Sequence, residues 1–340
     1  MRIELPISKS IANRLLILQA IHGDELMPVS DSMPGDVQLL HRALTTLHNP
    51  TQSYTTLHLS NCGTAMRFLT AYAAQLENRV TILDGVERMH HRPIGQLVDA
   101  LREIGADIEY LGEEGFPPLR IKGCILDKHR IVTINNPQST QFVSAMLLIG
   151  ANAQTNSTSP YITLTRELIQ RYTTLHNSTQ RYTIEKDWSS AAFWYEYVAL
   201  HGGEITLPGI YRNSLQGDKV VADIFTHLGV YTDYTAEGIT LSPHRLIVSS
   251  PFAYNFSNCP DLYPAVALTC ERLGVELHAT GTESLPIKES DRLRAVREHR
   301  VEADHRMAMA LLVAGYTVDD VECIKKSYPE FLEQWKTITA

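Results

Sequence analysis

Several features of other protein classes are absent from this sequence. No apolar run reaches the ~18 residues that a membrane-spanning helix needs, and the best candidate, Met307 to Tyr316, is far shorter. The five cysteines are scattered and form no C-x-x-C pair, which argues against a disulfide framework or a thiolate zinc site. The opening residues, MRIELPISKS, lack the apolar core of a signal peptide. These absences predict a cytoplasmic protein with no membrane partner.

Positive charge is also in deficit. The chain has 30 Lys and Arg against 38 Asp and Glu, a net charge of −8 with histidine neutral. General nucleic-acid binding needs a basic domain or stripe, so this class of partner is not expected. Neither a G-x-G-x-x-G nor a G-x-x-x-x-G-K-[ST] motif occurs, and no histidine pair has H-E-x-x-H spacing. We therefore expect neither a bound metal nor a nucleotide cofactor, while a small anionic substrate remains compatible with the sequence.

The sequence does contain a repeated pattern. Six times, a short polar loop opens onto an apolar helix rich in small residues, and such nearly continuous apolarity marks a helix surrounded by protein. These predicted inner helices begin near Ser8, Asn61, Gln138, Asp187, Cys259 and Ala303. Amphipathic segments lie between them, and twice the order helix, glycine, strand, tight turn, strand follows. Six such modules, three in each half, predict an α/β protein of two similar domains.

Functional side chains gather at the starts of these helices. A helix N-terminus carries unpaired N–H groups and roughly half a positive charge, so it attracts anions. The predicted starts add Lys9, Ser10 and Arg14; Asn61, Gly63, Thr64 and Arg67; Ser139, Thr140 and Gln141; and Asp304, His305 and Arg306. Other loop–helix junctions contribute Arg92, Lys288, Arg292 and Lys326.

Each of these residues alone is explained by a solvated side chain or a helix cap, and ordinary alternation of helices and strands would explain the modules. Neither explanation accounts for cations and hydroxyls at the same place in module after module. In a chain of net charge −8, this concentration predicts a shared site for small substrates that carry phosphate or carboxylate groups.

Two carboxylates are candidates for acid–base chemistry. Asp261 begins an apolar helix, so a helix N-cap is an equally good interpretation of this residue. Glu289 lies beside Lys288 and Asp291, and an exposed network of ion pairs is its alternative role. Buried among cations, either carboxylate can exchange a proton with a substrate near neutral pH.

Ten segments together resemble one known family. They include LPISKSIANR, SNCGTAMRFLTA, STQFVSAMLL, CPDLYPAVALT, IKESDRL and DHRMAMA, in this order between residues 5 and 335. They resemble the 5-enolpyruvylshikimate-3-phosphate synthase family, in the form found in Bacteroidetes-type bacteria. The resemblance implies two similar domains, each of three βαβαββ units in an inside-out barrel, with substrates in the interdomain cleft. We expect the N-terminal domain over residues 8–185 and the C-terminal domain over residues 1–7 and 186–340.

The resemblance also implies a reaction. The enolpyruvyl group of phosphoenolpyruvate is transferred to the 5-hydroxyl of shikimate 3-phosphate, and phosphate is released through a tetrahedral intermediate. This is a step of the shikimate pathway toward chorismate and the aromatic amino acids. The family needs no cofactor, so the implied partners are the two small anionic substrates, bound by a monomer.

The resemblance assigns roles to individual residues. Asp261 matches the proton acceptor and Glu289 the proton donor, with Lys288 and Lys9 as further catalytic residues. The implied shikimate 3-phosphate contacts are Lys9, Ser10, Arg14, Ser139, Thr140, Gln141, Thr158, Asp261, Ser284 and Lys288. The implied phosphoenolpyruvate contacts are Lys9, Gly63, Arg67, Arg92, Gln141, Arg292, Arg306 and Lys326.

Two other functions compete with this interpretation. The related UDP-N-acetylglucosamine enolpyruvyl transferase carries a reactive cysteine in a glycine-rich loop, and no cysteine here has that setting. The second alternative is a non-catalytic anion-binding descendant of the enzyme. The presence of Asp261, Lys288, Glu289 and Arg306 argues against it.

The chain is short for the family that it resembles. Between Arg294 and Asp304 a few residues stand where the family has part of a helix and several strands. Shorter losses are expected between Ala151 and Thr158 and around residues 176–182. Missing strands would leave open sheet edges in the C-terminal domain.

Overall fold

A computed structural model describes residues 1–49, 53–176, 183–245 and 251–339. The chain divides into two compact units. The first unit comprises Ser10–Ser30 and Asp36–Thr183, and the second comprises Met1–Lys9, Asp31–Gly35 and Ile184–Ala340. The predicted loss around residues 176–182 falls largely outside the described residues.

The segment Asp31–Gly35 belongs with the second unit, although the sequence predicts a first domain that runs unbroken from residue 8 to residue 185. Close packing explains the position of Gly35. A Cβ atom built on Gly35 would lie 3.1 Å from the carbonyl oxygen of Lys325, in the 3₁₀ turn Glu322–Lys326. The short segment Asp31–Gly35 therefore packs as part of the second unit, although the residues on both sides of it belong to the first.

The first unit alternates helices and strands. Its helices are α1 (Lys9–His22), α2 (Gly35–Leu47), α3 (Gly63–Ala74), α4 (Gly95–Glu103), α5 (Thr140–Leu148) and α6 (Pro160–His176). Its strands are β1 (Tyr54–His58), β2 (Val80–Asp84), β3 (Asp107–Tyr110), β4 (Leu119–Lys122), β5 (Val132–Thr133) and β6 (Ala153–Gln154).

One module of the first unit carries all its elements. The four-stranded sheet has the order β1-β2-β4-β3, with β1 and β2 parallel and the other pairs antiparallel. In chain order, β1, α3, β2, α4, β3 and β4 form one complete βαβαββ repeat. The next module pairs the short strands β5 and β6 in parallel around α5.

The predicted inner helices of this unit are confirmed. In α3 every residue except Thr64 is buried, and nine residues of α1 are buried. The helix ends also follow the sequence, because Gly23, after α1, has a φ of 72° that suits a glycine at a helix C-terminus. Cys62 and Ser139 accept backbone hydrogen bonds as the N-caps of α3 and α5.

Over the residues that the structure describes, the second unit has the same alternation with fewer strands. Its helices are α7 (Trp188–His201), α8 (Val221–His227), α9 (Tyr263–Leu273), α10 (Arg292–Glu298), α11 (His305–Val313) and α12 (Phe331–Thr339). Its strands are β7 (Ile205–Pro208), β8 (Val230–Tyr234), β9 (Gly238–Pro243), β10 (Phe252–Asn255) and β11 (Leu277–Thr280).

The contraction predicted from the sequence lies at the connection between α10 and α11. Strands β7, β9 and β8 form an antiparallel sheet in that order, and β10 and β11 form a separate parallel pair. Among the described residues no strand follows β11. His299, Glu302 and Ala303 in the connection all have a positive φ, between 50° and 55°. The chain therefore makes a tight, strained turn at the site of contraction.

The inner helices of the second unit, α7, α9 and α11, pack on one another and build its core. Trp188 and Trp194 are fully buried there, together with Phe193 and Phe331. Within the described ranges, no helix has both the length and the apolar character needed to cross a membrane.

Candidate active site

Two arginines of the first unit converge on the start of α3. The Arg92 Nη1 donates to the carbonyl oxygen of Asn61 at 2.9 Å and to its side-chain oxygen at 3.1 Å. A Cβ atom on Gly63 would lie against Arg67 Nη1 and 2.7 Å from Arg92 Nη2. Only a glycine leaves room for both guanidinium groups. We call Asn61, Gly63, Arg67, Arg92 and Gln141 the Gly63 cluster.

Gln141 connects two helix starts within this cluster. Its Oε1 accepts from Arg67 Nη1 at 3.1 Å, and its Nε2 donates to Thr64 Oγ1 at 2.8 Å. Ser139, the N-cap of α5, accepts from the Gln141 backbone N–H at 3.3 Å. The starts of α3 and α5 thus present two buried cations and several polar groups together, an arrangement suited to a phosphate or carboxylate.

Arg14 forms a second polar group in the first unit. Its Nε donates to Thr165 Oγ1 at 2.8 Å, and its Nη1 donates to the Ser10 carbonyl oxygen at 2.8 Å. Its Nη2 donates to Ser144 Oγ at 3.2 Å and to the Tyr161 carbonyl oxygen at 3.4 Å. Burial lowers the pKa of Arg14 to about 10, so the guanidinium still carries its charge at neutral pH. We call these residues the Arg14 cluster.

The other predicted residues of the first unit have more open positions. Ser10 and Thr140 are half-buried at the starts of α1 and α5, while Thr158 is exposed just before α6.

In the second unit, cations surround Asp261. Its Oδ1 lies 2.8 Å from Arg292 Nη1 and 3.4 Å from Lys288 Nζ, and its Oδ2 lies 2.9 Å from Arg306 Nη2. Burial alone would raise the pKa of Asp261, but the charges of Arg306, Lys288 and Arg292 outweigh it and hold the pKa well below its usual range. The carboxylate is therefore ionised.

Asp261 lies in the 3₁₀ turn Pro260–Leu262, ahead of α9, and its side chain caps neither element. The interpretation of Asp261 as a helix N-cap is therefore wrong. The reason is chemical, since three cationic side chains compete for the carboxylate more strongly than a backbone N–H does.

Glu289 also has cationic partners, and unlike the half-buried Asp261 it is buried. Its Oε2 lies 3.1 Å from Arg292 Nη2, and its Oε1 lies 3.2 Å from Lys326 Nζ. The residue is only 8% exposed, so the alternative of an exposed ion-pair network is wrong. The second polar centre, which we call the Asp261 cluster, consists of Asp261, Lys288, Glu289, Arg292, Asp304, Arg306 and Lys326.

Asp304 holds two members of this cluster in place. Its Oδ2 lies 2.8 Å from Arg292 Nε and accepts from Ser290 Oγ at 3.1 Å. Its Oδ1 accepts from the backbone N–H of Arg306 at 2.9 Å, so Asp304 is the N-cap of α11. One fully buried carboxylate therefore orients one guanidinium directly and the other through the helix that carries it.

His305 follows Asp304 and is 1% exposed. Neither ring nitrogen has a hydrogen-bond partner within the described part of the chain. Burial, with the nearby charges of Lys9, Arg306 and Lys326, lowers the pKa of His305 well below its usual value. The imidazole is therefore neutral. Lys9 also acts on the pKa of Asp187, so it lies near both residues.

Sequence reasoning missed two buried carboxyl groups beside the Asp261 cluster. Asp187 caps α7 and accepts from Ser190 Oγ at 2.7 Å, while Asp218 accepts from Ser189 Oγ. Burial and the charge of Asp261 raise the pKa of Asp218 to about 6. Burial also raises the pKa of Asp187. The position of Asp187 at the start of a predicted inner helix could have identified it from the sequence, but no motif pointed to Asp218.

The remaining predicted residue, Ser284, is half-buried before the 3₁₀ turn Leu285–Ile287 and makes no side-chain cap there. None of the five cysteines is in a disulfide. Over the described ranges, His, Cys, Asp and Glu side chains do not group in a way that would hold a metal ion.

Comparisons with known proteins agree with this chemistry. The family model of EPSP synthase (3-phosphoshikimate 1-carboxyvinyltransferase) matches residues 35–299 and 298–335. The protein named 3-phosphoshikimate 1-carboxyvinyltransferase of Bacteroides fragilis is 36% identical, and the match covers 97% of this chain and 93% of that protein. The protein of the same name from Colwellia psychrerythraea is 30% identical, with 97% and 95% covered.

A solved structure shows the same fold. The EPSP synthase of Acinetobacter baumannii superimposes with a TM-score of 0.67 at 18% identity, over 99% of this chain and 95% of that one. At this low identity, the similarity shows a shared fold and nothing more.

The match also locates the contraction. The alignment with the Bacteroides protein spans 389 positions, so that protein has at least 49 residues where this 340-residue chain has gaps. The family model matches in two parts that meet at residues 298–299. This junction is the strained connection between α10 and α11.

A mixed α/β fold whose buried arginines gather with half-buried lysines and with carboxylates at helix starts defines an enzyme that acts on small anionic substrates. The family match extends over most of the chain, and the relatives match over nearly all of it. The chain belongs to the EPSP synthase family.

Proposed function

We propose that this chain transfers the enolpyruvyl group of phosphoenolpyruvate to the 5-hydroxyl of shikimate 3-phosphate and releases phosphate. The observation that carries the proposal is the Asp261 cluster. It places an ionised carboxylate, with a second carboxylate at Glu289, among four cations. This is the set of groups that proton transfer between two anionic substrates requires.

We assign the residues of the three clusters to the two substrates as follows. The Gly63 cluster supplies Gly63, Arg67, Arg92 and Gln141 to phosphoenolpyruvate, and the Asp261 cluster supplies Arg292, Arg306 and Lys326, with Lys9. Shikimate 3-phosphate takes Ser10, Arg14, Ser139, Thr140, Thr158 and Ser284, with Lys9, Gln141, Asp261 and Lys288. Buried arginines suit this task because their planar donors match phosphate and carboxylate oxygens.

In the proposed reaction the 5-hydroxyl of shikimate 3-phosphate gives its proton to Asp261, assisted by Lys288. Its oxygen attacks C2 of phosphoenolpyruvate, and C3 takes a proton from the protonated carboxyl group of Glu289. In the elimination the C3 methyl group returns a proton to the Glu289 carboxylate as the C2–O bond to phosphate breaks and the enol ether double bond forms. Asp261 passes its proton to the departing phosphate, so both carboxyl groups regain their starting states.

Asp261 shares its guanidinium partners with phosphoenolpyruvate in this proposal. Arg292 and Arg306, which lower the pKa of Asp261 in the free protein, are assigned to the anionic groups of the substrate. Substrate binding therefore draws positive charge away from the carboxylate and makes it a stronger base. The remaining cations hold the reacting groups in place and stabilise the charge of the intermediate.

The alternative functions receive less support. The reported relatives carry the name 3-phosphoshikimate 1-carboxyvinyltransferase, so a UDP-N-acetylglucosamine transferase is not favoured. A non-catalytic descendant has no reason to keep the half-buried Asp261 and the buried Glu289 among cations, where ionised groups are costly unless they are paired. We further propose that the enzyme works as a cytoplasmic monomer, in keeping with five cysteines that form no disulfide.

Phosphate release tests the proposed function. The protein is mixed with shikimate 3-phosphate and phosphoenolpyruvate, and inorganic phosphate is followed with time. We expect release only when both substrates are present, and a loss of about 10²–10⁴-fold in kcat for Asp261→Asn, the range for removal of a general base. Asp233→Asn, which changes an exposed aspartate of β8, is the matched control and should turn over like the wild type.

Each other outcome has a distinct meaning. Release with UDP-N-acetylglucosamine in place of shikimate 3-phosphate would support the related transferase. A folded protein that binds both substrates and releases no phosphate would support the non-catalytic descendant. Normal turnover by Asp261→Asn would remove Asp261 from the mechanism and leave the overall activity in place.

A further inference from the structure

Nearly all the donors of Arg14 are already engaged inside the first unit. A guanidinium has five N–H groups. The N–H groups of Arg14 donate to oxygens of Thr165, Ser10, Ser144 and Tyr161. These four bonds use the N–H of Nε, one N–H of Nη1 and both N–H groups of Nη2. One N–H, on Nη1, is not used in these bonds.

Two buried hydroxyl groups determine this arrangement. Thr165 in α6 and Ser144 in α5 are both fully buried. Their oxygens lie 2.9 Å apart, and Thr165 Oγ1 also donates to the Tyr161 carbonyl oxygen at 2.8 Å. Because each hydroxyl is itself held by neighbours, Arg14 Nε and Nη2 have fixed acceptors.

The charge of Arg14 is not balanced inside the protein. The residue is 2% exposed, and no carboxylate of the described residues forms an ion pair with it. Its contacts are neutral oxygens and the ring of Phe68, whose centroid is 5.4 Å from Arg14 Cζ. A buried cation without a counter-ion is costly and attracts an anion. A purely structural role would be served at lower cost by a neutral side chain.

We propose that Thr165 and Ser144 are positioning residues that fix Arg14, so that it gives an anionic group of shikimate 3-phosphate one hydrogen bond, from Nη1. The inference rests on the proposed function and deepens it. In this arrangement Arg14 makes one hydrogen bond to the substrate rather than a bidentate pair. The hydroxyl groups of Thr165 and Ser144 then determine substrate affinity, although neither contacts the substrate.

The test uses Thr165→Val, which keeps the shape of the side chain and removes the hydroxyl. We expect the Kd for shikimate 3-phosphate, measured by calorimetry without the second substrate, to rise about tenfold to a hundredfold, as for a hydrogen bond to a charged group. In turnover, KM for shikimate 3-phosphate should rise while kcat and KM for phosphoenolpyruvate stay within about twofold. Thr165→Ser restores the hydroxyl and should rescue affinity, and Ser144→Ala should weaken binding in the same direction.

A matched control separates positioning from general damage. Thr70 in α3 is also fully buried, and its Oγ1 donates to the Met66 carbonyl oxygen at 2.7 Å rather than forming a hydrogen bond with Arg14. Thr70→Val should bind shikimate 3-phosphate like the wild type. Equal weakening by Thr70→Val and Thr165→Val, or no rescue by Thr165→Ser in a folded protein, would overturn the inference.

The binding measurement also distinguishes this inference from the proposed function. If the wild type binds shikimate 3-phosphate and Thr165→Val binds it equally well, the positioning role fails and the proposed function stands. If the wild type binds no shikimate 3-phosphate, both fail.

Discussion

At the scale of single residues, Gly63 shows how a missing side chain creates a site. Both guanidinium groups of the Gly63 cluster occupy the space that a Cβ atom would take. The atoms that approach are the ends of flexible side chains, not backbone. A small side chain at this position therefore leaves the fold intact but displaces the guanidinium groups of Arg67 and Arg92.

Gly63→Ala tests this view. Gly63 starts α3 and is not among the glycines with positive φ, so alanine fits its backbone conformation. We expect a folded protein whose KM for phosphoenolpyruvate rises about tenfold, since displaced guanidinium groups lose charge-assisted hydrogen bonds. Steady-state kinetics with each substrate varied in turn measure the change, and KM for shikimate 3-phosphate should change much less.

The control for this substitution is Gly95→Ala, at the start of α4. A Cβ atom on Gly95 would meet its nearest neighbour, the Gly115 Cα, at 3.4 Å, which is ordinary contact. Gly95→Ala should leave both KM values unchanged. An unchanged KM for phosphoenolpyruvate in Gly63→Ala would mean that the two arginines do not bind that substrate.

At the scale of elements, the sequence is informative about helices and less so about strands. Nearly continuous apolar runs predicted the six inner helices, because burial on all sides leaves this mark. Short strands such as β5 and β6, of two residues each, leave no comparable pattern. Their existence depends on a partner distant in the chain, as in the pairing of Val132 with Ala153.

The candidate site divides in the same way. Asp261 and Glu289 were recognisable as candidates, but only the structure excludes their ordinary roles, because Asp261 caps no helix and Glu289 is buried. Asp304 showed its double role only in three dimensions, where it reaches Arg292 and caps α11. Thr165, in an amphipathic helix, gave no signal in the sequence for its bond to Arg14.

The connection between α10 and α11 carries a prediction about stability. Ala303 has a φ of 55°, a left-handed conformation that costs a residue with a Cβ atom about 1 kcal/mol. Ala303→Gly removes this strain and adds some freedom to the unfolded chain. We expect the free energy of unfolding to rise by about 0.5 kcal/mol, within the range of these opposing effects.

Tryptophan fluorescence during urea unfolding measures this change. All three tryptophans, Trp188, Trp194 and Trp335, lie in the second unit, as Ala303 does. Ala308→Gly, in the buried interior of α11, is the control and should lower stability by about 1 kcal/mol or more. If Ala303→Gly destabilises the protein as much as Ala308→Gly does, the connection is not strained.

At the scale of the whole molecule, the net charge of −8 conceals an uneven distribution of protons among buried acids. Asp261 stays ionised because cations surround it, while burial raises the pKa of Asp187, Asp218 and Glu196. Glu196 is fully buried in α7, and neither of its carboxylate oxygens has a hydrogen-bond partner among the described residues. Composition sets the number of acidic groups, but only the fold decides which of them hold a proton.

These opposite shifts give stability a definite pH dependence. An acid whose pKa is higher in the folded protein takes up a proton on folding, so its stabilising effect is lost as pH rises from the unfolded to the folded pKa. For Asp218 that window runs from 3.8 to about 6. Asp261 works in the opposite sense, since its stabilisation is lost only as pH falls through a folded pKa well below 3.8. His305, whose pKa burial lowers, acts against this trend below about pH 6.5, because its unfolded form takes up a proton there. It is one group against three acids with raised pKa, Asp187, Asp218 and Glu196, so these acids set the sign of the slope between about pH 4 and pH 6.

We expect the free energy of unfolding of the second unit to fall as pH rises from 4 to 6, and Asp218→Asn to flatten this decline. At pH 7 the variant should be more stable than the wild type by on the order of 1–3 kcal/mol, because the amide needs no proton to be buried. Tryptophan fluorescence in urea at each pH measures both effects. Asp233→Asn, at an exposed position of β8, should keep the wild-type slope. A slope that Asp218→Asn leaves unchanged would show that Asp218 is already ionised near pH 4, so that Arg306 outweighs its burial.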